Sequence, residues 1–89
     1  MREKKAIAKL ENYVLGTYAE HYAQNGVQAI DLIIASGYGV DHAMANVIKY
    51  AARQGKKEGA DPEHDILKMA HYCLLALVAL EKSKAGKND

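Results

Sequence analysis

Cysteine is nearly absent. The single Cys73 sits in the apolar run Tyr72-Cys73-Leu74-Leu75, so one chain can form neither a disulfide nor a cysteine-based zinc site, and the thiol is expected to act as a small buried hydrophobe. Long apolar runs are missing too. The longest, Tyr72 to Leu80, is far short of the roughly 20 residues that span a bilayer, and no apolar signal region follows the charged start Met1-Arg2-Glu3-Lys4-Lys5. A cytoplasmic protein with no membrane partner is therefore expected. Excess charge of one sign is also missing. A net charge of +1 argues against general nucleic-acid binding, so any basic patch must be local. Strand-like alternation, internal repeats and linkers are not seen.

The chain does contain helical periodicity. Its 89 residues, 49% hydrophobic and 26% charged, describe one all-α domain spanning 1–89. Four helices are expected, at 3–24, 27–36, 41–54 and 62–83. Ile7, Leu10, Val14 and Tyr18 mark one face of the first, and Asn25-Gly26 stops it. Ile30, Ile33 and Ile34 mark the second, which Gly37-Tyr38-Gly39 breaks. Asp41 is the expected cap of the third, and Gly55 its end. Asp61-Pro62-Glu63 supplies a cap, a first-turn proline and an acid suited to the dipole of the fourth.

That fourth helix is apolar from Ile66 to Leu80 except at Lys68 and His71, more than one face of a small core can use. A short domain also has a thin stability margin. Together these predict a homo-oligomer joined through the apolar C-terminal helix.

The residues that carry chemistry lie at 46–57. Asn46, Lys49, Tyr50 and Arg53 are three or four apart, which puts an amide, an ammonium, a phenol and a guanidinium on neighbouring helix surface. Lys56 and Lys57 follow on the loop. Such donors suit phosphate: Arg53 can grip two oxygens, and the lysines act as mobile point charges. Helix four presents Asp65, Lys68 and Tyr72 at the same spacing, close to a helix N-terminus that favours anions. The bland alternative is that Asp65 pairs with Arg53 or Lys49 across a helix hairpin while the remaining lysines are solvated surface.

No catalytic apparatus is visible. Gly-x-x-x-x-Gly-Lys-Ser/Thr is absent, which excludes a P-loop kinase. Paired acids of the kind that hold magnesium in all-helical nucleotide pyrophosphatases are missing, and His21, His42, His64 and His71 lack metal-ligand pairing. No nucleophile, base and orienter set can be named. The expectation is no catalytic residues, no metal and no cofactor.

The order His21-Tyr22, Gly26, Ile30-Asp31, Asn46-Val47-Ile48-Lys49-Tyr50, Arg53, Gly55-Lys56-Lys57, Asp65, Lys68 and Tyr72 resembles a family of small, mostly phage-encoded helical proteins of unknown function. The family is often labelled nucleotide kinase after a member from a T7-like phage, and the resemblance covers roughly 21–80. It implies a nucleotide-binding domain in which Lys49, Arg53, Lys56 and, beside them, Lys68 meet phosphates, while His21, Tyr22, Asp31 and Asn46 face base or ribose. A surface or interface role for His21 and a cap or salt-bridge role for Asp31 remain open.

Three functions follow as expectations. The first is a phage-type, anti-defence protein that sequesters a phosphorylated nucleotide, including a cyclic or ADP-ribose-type immune signal, without turnover. The second is a nucleotide monophosphate kinase with an oligomeric site and magnesium held at Asp65. The third is an interaction module for a host protein.

Overall fold

The computed structural model describes residues 1–19, 28–56, 58–59 and 61–87. All regular structure among them is helical: α1 (Lys4–Thr17), α2 (Ala29–Ala35), α3 (Gly39–Arg53) and α4 (Pro62–Lys87). None of these helices is long and apolar enough to cross a membrane.

α4 is the spine. Its 26 residues rise roughly 39 Å, most of the 46 Å long axis of the molecule. Asp61 Oδ1 accepts the Glu63 backbone N–H at 3.1 Å, so the side chain preceding Pro62 caps the free amides of the first turn. α3 lies along α4 as an antiparallel hairpin, α2 packs on α3, and α1 packs on α4.

The hairpin closes tightly because its contact face is made of small residues. Ala43, Ala76 and Ala79 are buried. Gly39 lies in the first turn of α3, where an added Cβ would fall 2.7 Å from the Ala79 Cβ and 3.0 Å from Ile34 Cγ1. The break between α2 and α3 belongs to Gly37 instead. It takes φ +88°, its N–H donates to Ile34 O at 3.0 Å, and the Tyr38 N–H donates to Ile33 O at 3.1 Å. This paired closure is the usual way a glycine ends a helix.

Several local expectations are corrected. Asp41 does not cap α3: Tyr38 holds the N-cap position without a side-chain bond, and Asp41 falls within the first turn. The helix starts earlier because a glycine at 39 lets the chain turn directly under α4. α1 is described as a helix to Thr17, and residues 20–27, which the first expected helix and its Asn25-Gly26 stop included, lie outside the described residues. α4 continues to Lys87 rather than 83. Cys73 is exposed, not buried. Tyr72 and Ala76 face α3, and a step of one residue, about 100° round the helix, turns Cys73 and Leu77 away from it.

Apolar side chains are left uncovered along that outer side. Ile66 is 54% exposed and Leu77 59%, and with Ala70, Cys73 and Leu80 they repeat at alternating spacings of four and three, the periodicity of a coiled-coil seam. α1 covers a neighbouring strip of α4. Tyr13 meets His64 and His71 edge-on at 5.8 and 6.1 Å between centroids, and Lys9 pairs with Glu63 at the surface.

Gly39→Ala measures how tight the hairpin is. Helix propensity alone favours alanine by about 1 kcal/mol, whereas overpacking costs about 1–3 kcal/mol. Urea denaturation should show a net loss of stability, and Ala79→Gly in the same chain should recover part of it.

Candidate functional site

Tyr50 is the centre of the polar group. It projects from α3 towards α4 and is only 7% exposed. Three cations approach its ring: Arg53 Cζ at 4.7 Å, Lys49 Nζ at 4.9 Å and Lys68 Nζ at 5.3 Å from the centroid. Lys49 and Arg53 reach it from α3 and Lys68 crosses from α4. Cations so close together repel, and the negative face of an aromatic ring is one of the few neutral groups that attracts all of them.

One carboxylate answers the three cations. Arg53 Nη2 donates to Asp65 Oδ1 at 3.0 Å, and Asp65 is 1% exposed. The cross-hairpin pairing weighed from spacing is thus present for Arg53 and Asp65. It does not use up either residue: Asp65 Oδ2 and Arg53 Nε are buried with no hydrogen-bond partner among the described residues, and 37% of the Arg53 side chain remains exposed. Lys49 is exposed and Lys68 half-buried, which leaves a local excess of positive charge at an accessible surface.

An aromatic row continues from Tyr50 along the hairpin. Tyr72 stacks on Tyr50 at 6.1 Å with the planes 20° apart, and His42 meets Tyr72 edge-on at 6.0 Å. Asn46 bridges the row on α3. Its Nδ2 donates to His42 O at 3.0 Å and lies 3.5 Å from His42 Nε2.

Beyond Tyr72 a cavity of about 210 Å³ opens between α2, α3, α4 and the end of α1, lined by Tyr18, Ala29, Ile30, Ile33, His42, His71, Tyr72 and Leu75. His71 is wedged against Tyr13 and Tyr18, 6.1 and 6.0 Å between centroids. Burial, and then the nearby Lys68 charge, lower its pKa from the usual 6.5. Its Nε2 is buried with no hydrogen-bond partner among the described residues.

The structure therefore brings together Asn46, Lys49, Tyr50, Arg53, Asp65, Lys68 and Tyr72. Lys56 is exposed on the loop just beyond α3. Asp31 belongs elsewhere: its carboxylate accepts the Gln28 backbone N–H at 3.1 Å, and it lines a different cavity beside Gly39 and Ala79. That end of α3 is roughly 20 Å from Arg53 by helix rise. His21, Tyr22 and Lys57 lie outside the described residues. Tyr18, His42 and His71 did not emerge as site residues from sequence. For His42 a signal existed, because the spacing of Asn46, Tyr50 and Arg53 extends one turn back to it.

Two measurements probe this region. Asp65→Ala strands a partly exposed guanidinium, so urea unfolding should lose on the order of 2 kcal/mol, below the range for a fully buried pair. His71 binds a proton less readily folded than unfolded. Its contribution is fully present above about pH 6.5 and is lost as pH falls through the lower folded pKa. The melting temperature of wild type should therefore drop more steeply below pH 6.5 than that of His71→Phe.

A family model described as a protein of unknown function, DUF3310, matches residues 17–73. The match spans well over half of the chain, which belongs to that family, and it includes every residue of the Tyr50 group. No curated protein and no solved structure matches the chain.

Proposed function

We propose that this member of the DUF3310 family binds a phosphorylated nucleotide on the Tyr50 side of the α3–α4 hairpin and holds it without turnover. The supporting observation is the convergence of Lys49, Arg53 and Lys68 on one buried ring, with Asp65 as the carboxylate paired to Arg53. A phosphate group satisfies such an excess: its oxygens accept charge-assisted hydrogen bonds, and the ring keeps the donors together before the ligand arrives. A phage-encoded protein of this kind would act in the cytoplasm of the host, removing a nucleotide signal such as a cyclic or ADP-ribose-type one.

The kinase label carried by the resembling family is a weaker reading. It needs Asp65 as a magnesium anchor, yet that carboxylate is almost wholly shielded from solvent and has one oxygen engaged by Arg53. Phosphoryl transfer between nucleotides needs acids that reach the metal bridging the phosphates.

The working form in this proposal is a homo-oligomer joined through α4. The support is the repeat of exposed Ile66, Cys73, Leu77 and Leu80 with half-buried Ala70 between them, which in an isolated chain leaves apolar area in water. A host protein docked on the same strip is the competing reading. It would favour a monomer that shows no nucleotide response.

The test is a thermal-shift panel of mono-, di- and cyclic nucleotides with ADP-ribose derivatives, followed by chromatography of the recovered ligand. A shift with the ligand returned intact supports sequestration, diphosphate formed from monophosphate and ATP supports the kinase, and no shift overturns both. Lys49→Ala and Lys68→Ala should each weaken binding by about 1–3 kcal/mol, roughly five- to 150-fold, with the oligomer intact. Arg53→Ala is a poorer probe, since it also unpairs Asp65. Leu77→Asp should break assembly, as read by light scattering.

A further inference from the structure

The Tyr50 group accounts for phosphate but not for the rest of a nucleotide. We infer that the cavity enclosed by Tyr18, Ile30, Ile33, His42, His71 and Tyr72 seats the nucleobase of the ligand, an inference that rests on the phosphate reading above.

Size is the first argument. At about 210 Å³ the cavity is smaller than the 300–1,000 Å³ usual for whole drug-sized ligands. It takes one ring system and leaves sugar and phosphates outside.

Position is the second. Tyr72 lines the cavity and also stacks on Tyr50, the ring that gathers the cations. The two subsites share that side chain as a common wall, so the cavity adjoins the cation group.

Chemistry is the third. Apolar Ile30 and Ile33 with the aromatic rings of Tyr18 and Tyr72 offer the faces on which a planar heterocycle stacks. The His71 ring lines the cavity, and its Nε2, shut off from water, has no hydrogen-bond partner among the described residues, so a base edge engages it only as the ring turns towards the ligand. Burial and Lys68 keep the imidazole neutral, so the ring presents one donor and one acceptor rather than a charge. A base edge carries both kinds of partner, whereas an alkyl chain would leave that nitrogen unsatisfied.

Calorimetric titration of the full chain separates the two subsites, using pyrophosphate, the four common nucleoside diphosphates and ADP-ribose. At least one nucleotide should bind about tenfold or more tighter than pyrophosphate, the size of one base-stacking contribution. Ile33→Trp fills the cavity and adds the only tryptophan of the chain, whose blue-shifted emission verifies that the indole is enclosed. It should abolish the nucleotide advantage while leaving pyrophosphate affinity within about twofold. His71→Phe keeps the packing and removes the nitrogen; it should cut the advantage without touching pyrophosphate, and it serves if the tryptophan variant does not fold. If pyrophosphate binds as tightly as every nucleotide, or if both variants keep the advantage, the cavity inference is overturned and the phosphate reading stands. If nothing binds wild type, the phosphate reading fails and takes this inference with it.

Discussion

A carboxylate removed from water needs a permanent partner, because the desolvation cost of an unpaired charge is larger than most single contacts can offset. Asp65 is in that position, and Arg53 answers it across the hairpin. The pairing fixes which residues of α3 stand opposite which residues of α4. With Arg53 anchored to Asp65 at one end and Gly39 pressed on Ala79 at the other, Tyr50 has to lie under Lys68 and against Tyr72. The arrangement of cations is thus a product of register. The stabilising pair and the proposed phosphate donors share a residue, so the site cannot be altered at Arg53 without disturbing the fold.

Local chemistry explains how much of this could be read from residues alone. Helix boundaries marked by backbone-specific residues were legible: Asp61-Pro62 caps α4 and Gly37 ends α2. The row of Asn46, Tyr50 and Arg53 was legible because helical spacing forces such residues onto adjoining surface, and the facing row on α4 followed by the same rule. Asp41 misled because a capping side chain is judged by sequence neighbours, while the true start of α3 depends on α4 passing over Gly39. Cys73 misled because an apolar neighbourhood in sequence does not say which side of a helix is covered. Asp31 was grouped with the base- and ribose-facing residues through a resemblance of order, and order is silent about distance. The cavity had no legible signature, since Tyr18, Ile33, His42 and His71 come from four separate helical segments and meet only through packing.

The molecule divides its surface by chemical task. One side of α4 carries the polar hairpin contacts and the cation group; the opposite side carries exposed aliphatic residues. α1 sits between the two, held by the edge-on and tilted contacts of Tyr13 and Tyr18 with histidines of α4 and by a solvent-exposed ion pair worth at most about 1 kcal/mol. The cavity lies where these regions meet, and α1 contributes Tyr18 to its wall.

The close approach of Gly39 and Ala79 also limits how the sequence can drift. A glycine has no side chain left to lose and an alanine can only become glycine, so each position can change in size in one direction. Growth at 39 costs least after shrinkage at 79, and growth at 79 has nothing at 39 that can shrink in return. The pair acts as a one-way ratchet on substitution, and the order in which changes arrive at these two positions decides how much stability the intermediate chain gives up.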